Sequence, residues 1–133
     1  MSDPLDLTGV WYGRYVSRVD AQENSFIALI EEVGGAFTGV ITEPDDEGGG
    51  SVRRATISGQ RTGQALYFTK QYSGRWNHAV RYAGRIDSAG KTVDGGWNVD
   101  WLSGGFDMER EKFSVEELEE ELEEEIVEPV SLR

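Results

Sequence analysis

Short connections between alternating runs constrain this chain more than any other feature. Gly34-Gly35 separates two such runs, and Ser88-Ala89-Gly90 separates two more. A third link, Arg61-Thr62, sits between Gly59 and Gly63. Two or three residues can turn a strand back antiparallel to its neighbour, whereas a parallel crossover takes about a dozen or more. Eight runs rich in Val, Ile, Thr, Tyr, Phe and Trp cover roughly residues 7–18, 25–33, 36–43, 51–60, 63–72, 78–88, 91–101 and 103–113. These residue types suit pleated, half-buried segments. Consecutive hairpins form a meander, and pairing the first strand with the last removes both exposed edges. The expected fold is all-β: an eight-stranded antiparallel up-and-down barrel over residues 1–113.

Residues 114–133 read differently. Ser114 and Glu117 have the spacing of a capping box, which marks a helix start. Val115, Leu118, Leu122 and Ile126 then recur at helical spacing, and Pro129 ends the pattern. The spacing predicts an acidic amphipathic helix with one narrow apolar stripe. Nine glutamates against one arginine fill this tail. Like charges four residues apart repel, so such a helix is weak alone and needs a surface. That surface is the barrel's outside, its open end or another copy; a frayed acidic solubility tail is the plainer reading. The longest loop, "EPDDEGGGS" from Glu43 to Ser51, is acidic and glycine-rich. It reads as a solvated connector, or as a lid.

The charge balance excludes several functions. The net charge of −12 is concentrated in the tail, and the barrel part is closer to balanced. Neither part offers the basic footprint that phosphate backbones require, so no nucleic-acid partner is expected. Anionic membrane surfaces are disfavoured for the same reason, and no apolar run reaches the ~20 residues of a membrane-spanning helix. The opening residues MSDPLDLTG carry no secretory signal pattern, and there are no cysteines. A cytoplasmic location is the simplest expectation. One histidine and no cysteine leave no metal-site spacing, and no phosphate loop or nucleotide fingerprint is present. No metal or cofactor is expected.

Barrel closure imposes a two-residue alternation on each strand. On the first strand it turns Gly9, Trp11, Gly13 and Tyr15 inward, and on the third Phe37, Gly39, Ile41 and Glu43. Gly95, Trp97, Val99 and Trp101 share a face, as do Phe106, Met108 and Arg110. On the sixth strand His78, Val80, Tyr82, Gly84 and Ile86 point in, because Arg81, Arg85 and Asp87 on the other face require water. The fifth strand is ambiguous, and its larger apolar pair, Leu66 and Phe68, favours Phe68, Lys70 and Tyr72 inside. Lys70, Tyr72, His78 and Tyr82 then converge near one mouth, with Ile86 deeper, beside Trp97. A buried ammonium needs a carboxylate or several acceptors. Glu43 is one candidate, and an anionic ligand is another.

"DLTGVW" at the start and "GGFDMEREKF" at the end also carry a family resemblance. A glycine, one residue and a tryptophan on the first strand, with a basic residue on the last strand to pack across the ring, resembles the calycin barrels. Arg110 is placed for that role against Trp11, and cation–π packing justifies the pair physically. "LTGVW", "GGAFTGVITE" and "YAGRIDSAGKTVDGGW" are most similar to avidin and streptavidin. The resemblance implies a small-molecule container that associates through its outer face, hence a homodimer. It implies a ligand cage at Trp97. The family's asparagine and tyrosine for the ureido group correspond here to Gly13 and Ile41, so the ligand implied is not biotin.

The expected function is a non-catalytic small-molecule binding barrel, lipocalin- or avidin-like, for an amphiphilic or anionic ligand. Its expected ligand-binding residues are Tyr15, Glu43, Lys70, Tyr72, His78, Tyr82 and Trp97. Each has a plainer alternative: a lone histidine at a strand start is usually solvated, a lysine can snorkel, and tyrosines and tryptophans can be wall. Two other functions remain open. One is a protein-interaction module using the barrel surface and acidic tail. The other is a small cyclase or isomerase with His78 or Tyr72 as acid or base.

Overall fold

A computed structural model of the protein describes residues 3–19, 22–44, 52–73 and 79–111. His78, most of the Glu43–Ser51 loop and the expected C-terminal helix lie outside the described residues. Eight strands follow in chain order: β1 (Gly9–Ser17), β2 (Glu23–Val33), β3 (Ala36–Pro44), β4 (Val52–Thr62), β5 (Ala65–Tyr72), β6 (Ala79–Ile86), β7 (Thr92–Val99) and β8 (Leu102–Arg110). Each pairs antiparallel with the next, and β1 pairs with β8, so the sheet closes into a meander barrel. Trp11 faces Arg110 in that closing ladder and Ser17 faces Gly104.

The turns show why the chain reverses where it does. Gly34 and Gly35 both have positive φ, at 60° and 88°, the geometry that matches a two-residue hairpin turn to strand twist. Between β4 and β5 the reversal falls at Gly63 (φ 60°) and Gln64, two residues beyond the expected Arg61-Thr62 link. Glycine takes the left-handed conformation there, so the strand runs on through Thr62. Between β6 and β7, the Asp87 carboxylate accepts hydrogen bonds from the Lys91 and Thr92 amides.

Alternation places one face of every strand inside. Phe68, Lys70 and Tyr72 are buried on β5, which settles its ambiguity, and Glu43 is buried on β3. Two expectations are corrected. Trp101 is not an interior residue: β7 ends at Val99, Asp100 adopts φ 49°, and Trp101 stands 86% exposed in the turn. Ile86 is not beside Trp97 either. The register sets Tyr82 opposite Trp97 and Ile86 opposite Val93, nearer the other end of the barrel.

That lower end, where β2 meets β3 and β6 meets β7, is sealed by residues 3–8. Leu7 is fully buried, and the Trp11 indole donates to its carbonyl. Arg110 stacks over the Trp11 ring with its guanidinium carbon 4.5 Å from the ring centre. Its nitrogens donate to the carbonyls of Asp6, Thr8 and Gly90. Arg61 makes a two-point contact with buried Glu32 and also reaches Asp3 and the Gly63 carbonyl.

Candidate functional site at the upper end of the barrel

The middle of the barrel is filled by rings. Phe68 stacks on Tyr82 at 4.7 Å and 7° between planes, and Phe37 and Phe106 meet Phe68 edge-on at 5.9 and 6.0 Å. Inward glycines make the room. A Cβ at Gly13 would overlap the Phe26 ring and approach Met108 at 2.8 Å, and one at Gly104 would sit 2.7 Å from the Trp97 indole nitrogen. Two open grooves, of about 500 and about 400 Å³, run between strands; the first is lined by Arg14, Asp94, Phe106 and Asp107, the second by Tyr12, Phe26, Ile27, Glu43 and Val52.

Above the rings, a charged cluster is buried among aromatic side chains. The Tyr15 hydroxyl on β1 and the Tyr72 hydroxyl on β5 both donate to one Glu43 oxygen, at 2.8 and 2.7 Å. The Lys70 ammonium donates to the other at 3.3 Å. Arg53, on β4 directly opposite Glu43 in the register, brings a guanidinium nitrogen to 3.4 Å of the same carboxylate. The Lys70 nitrogen lies 4.4, 4.6 and 5.2 Å from the ring centres of Tyr15, Tyr72 and Tyr82. Lys70 is only 1% exposed and Glu43 2%, so this polar group is part of the core. Trp97 closes one side: its indole donates to the Val16 carbonyl, and its plane meets Tyr15 edge-on at 6.1 Å.

The electrostatics follow from burial. Loss of hydration pulls the Lys70 ammonium down to about 8, although Glu43 favours its charged form. Burial pushes the Tyr15 hydroxyl up to about 12. It also raises Tyr72, with Tyr15 and Glu43 adding to the effect, and it raises Tyr82. The phenols therefore remain donors at any physiological pH, while Lys70 is the group whose charge is easily changed. Among the described residues, Lys70 and Arg53 both face the Glu43 carboxylate. Lys70 has three donor hydrogens and one acceptor among the described residues.

Six of the seven residues expected from sequence are brought together here: Tyr15, Glu43, Lys70, Tyr72, Tyr82 and Trp97. His78 lies outside the described residues. Sequence reasoning missed Arg53. Its signal was present, because Ala55 and Ile57 point inward on β4 and alternation puts Arg53 on the same face. Among the described residues, no group of three or more His, Cys, Asp or Glu side chains could hold a metal ion.

No protein-family model matches the chain, and no curated protein matches it. Solved structures do share its fold. A redesigned β-barrel, b11L5F_LGL, superposes with a TM-score of 0.69 at 13% identity, over 80% of this chain and 92% of that one. A second redesigned barrel, mFAP1, bound to DFHBI, gives 0.65 at 12% identity, over 79% and 94%. A fluorescence-activating β-barrel designed de novo gives 0.61 at 16% identity, over 84% and 100%. These similarities establish a closed eight-stranded antiparallel meander.

Proposed function

We propose that this protein is a non-catalytic binding barrel for a small amphiphilic molecule with an anionic head. The observation that carries the reading is the upper cluster, in which buried Lys70 and Glu43 and half-buried Arg53 meet among aromatic rings. Well-packed hydrophobic residues would stabilise such a position as well or better, so a buried ion pair is poor evidence of a stabilising device. Lys70, with three donor hydrogens and one acceptor among the described residues, suits a carboxylate, sulfonate or phosphate group. Half-buried Tyr15, Val99 and Leu102, with Trp97, supply an apolar surface for the rest of the molecule. An apolar wall with a few convergent polar groups is the usual make-up of a small-ligand site. Among proteins of similar fold, mFAP1 holds a small molecule, DFHBI.

The resemblance to avidin enters this proposal only as architecture. A side chain at Gly13 would collide with Phe26, and Ile41 offers no hydrogen bond. Biotin is therefore not the ligand we propose. His78, expected from the sequence as a further contact for the ligand head, lies outside the described residues.

Native mass spectrometry of protein purified from its host tests the reading directly, with a retained small acid expected. A fluorescence titration with 8-anilinonaphthalene-1-sulfonate as the probe anion provides the second measurement. Lys70→Met is expected to weaken its binding about tenfold or more, the loss of one charge-assisted contact. Equal binding by wild type and variant, with no retained ligand, would sink the proposal.

A further inference from the structure

The outer wall of the barrel is two-faced. Over β4 to β6 the outward residues are mainly polar, among them Arg54, Ser58, Gln60, Thr69, Arg81 and Arg85. Over β1 to β3 they include Val10, Tyr12, Ile27, Leu29 and Val40. The register makes these contiguous: Val10 lies opposite Leu29, Leu29 opposite Val40, and Tyr12 opposite Ile27. Leu29 is 56% exposed, Tyr12 and Ile27 46%, and Val40 44%. Single exposed apolar residues are ordinary, but a continuous apolar face on one side of a small barrel marks a docking surface.

Where the described chain ends identifies the occupant. After β8, the Glu111 amide donates to the Val10 carbonyl at 2.8 Å, and the Tyr12 hydroxyl donates to the Glu111 carboxylate at 2.7 Å. Residue 111 therefore lies at the edge of the apolar face, and residues 112–133 continue from that point. Their sequence holds Val115, Leu118, Leu122 and Ile126 at helical spacing, with glutamates filling most of the positions between. We propose that residues 114–127 form a helix that lies across β1, β2 and β3 and covers Val10, Tyr12, Ile27, Leu29 and Val40 with this stripe.

The dimensions agree. Fourteen helical residues span about 21 Å at ~1.5 Å per residue. Crossing three strands at ~4.8 Å spacing needs about 10–15 Å. The glutamate faces stay in water, and Arg54, opposite Thr42 on the far side of the face, offers them a cation. Tethering favours this occupant over a second copy. A segment attached a few residues from its site acts at an effective concentration of about millimolar, well above the concentration of any second copy.

Because the chain has no cysteine, paired cysteines test the placement cleanly in the full-length protein. With a short bismaleimide, L29C/L122C is expected to form an intramolecular crosslink in high yield. R85C/L122C, which puts the second thiol on β6, is expected to form little. Hydrogen exchange of the otherwise unaltered chain is expected to show protected amides at 115–126, lost in L118D/L122D, whose changes lie outside the barrel and leave it folded. Equal crosslinking at both positions, crosslinks only between chains, or an unprotected tail in the parent protein would each overturn the proposal. So would a dimer in sedimentation that L29D converts to monomer while tail protection persists, since a second copy would then cover the face.

Discussion

The two ends of this barrel each bury a glutamate beside a cation, and they use it differently. At the lower end Glu32 accepts two bonds from Arg61, at 2.9 and 2.8 Å, and one from the Leu7 amide at 3.0 Å. Arg61 spends its other donors on Asp3 and Gly63, and Arg110 spends its own on three backbone carbonyls. The planar, permanently charged guanidinium is well matched to such fixed geometry. At the upper end Glu43 is also well supplied, but Lys70 meets it through one bond at 3.3 Å inside a ring of tyrosines. A saturated arginine fixes the closed end, whereas Lys70 has one acceptor among the described residues and a lowered proton affinity.

The largest expected effect breaks the comparison at the lower end. Arg61→Ala leaves Glu32 buried without its cation and should lower stability by about 3–5 kcal/mol. Lys70→Met at pH 7 should change it by only about 1 kcal/mol in either direction, because Glu43 keeps Arg53 and two phenolic donors while a desolvated charge is removed. Urea denaturation of both variants measures the difference. Equal losses would mean that the two ends do the same structural job.

The next effect concerns pH and belongs to the upper end alone. The folded protein lowers Lys70 from 10.5 to about 8, so between those values the unfolded chain binds more protons than the native one. Lys70 alone then makes stability rise with pH, by about 2 kcal/mol from pH 8 to pH 10. The tyrosines act in the opposite sense. Tyr15, Tyr72 and Tyr82 are raised in the folded state, so from about pH 9 upward the native form holds extra protons and these groups lower stability. Wild type should therefore be most stable between about pH 9 and pH 10, and the rise from pH 8 should be absent in Lys70→Met. A parallel pair of profiles would show that Lys70 keeps an ordinary proton affinity despite its burial.

Much of this contrast was legible in the sequence. Glycine-marked turns and period-two alternation specify the strands and their inward faces, because closure leaves each strand one wet side and one dry side. Arg81 and Arg85 fixed β6, and β6 in turn placed Tyr82. The need of a buried ammonium for a carboxylate pointed from Lys70 to Glu43. What alternation cannot supply is the level at which residues on different strands meet. That depends on register and barrel tilt, and so Ile86 was expected beside Trp97 when Tyr82 is there instead. It also cannot see where a strand ends: Asp100 in a left-handed conformation turns Trp101 out to solvent. The Glu32–Arg61 contact escaped for a third reason. Its partners lie on strands not adjacent in the barrel, and the N-terminal segment that buries them has no periodicity of its own.

The smallest effect sharpens the upper end further. Tyr15→Phe removes one of the two phenolic donors on Glu43 and leaves the ring over Lys70 intact. The carboxylate retains Tyr72, Lys70 and Arg53, so the loss should be about 1 kcal/mol, that of one hydrogen bond. Its value lies in direction. A carboxylate with fewer donors attracts the ammonium more strongly, so Lys70 should lose its proton at higher pH in Tyr15→Phe than in wild type. The stability rise would begin later, and Lys70 would hold its charge over a wider range. A rise that begins at the same pH would mean that desolvation alone governs Lys70, and that the phenols serve only as wall.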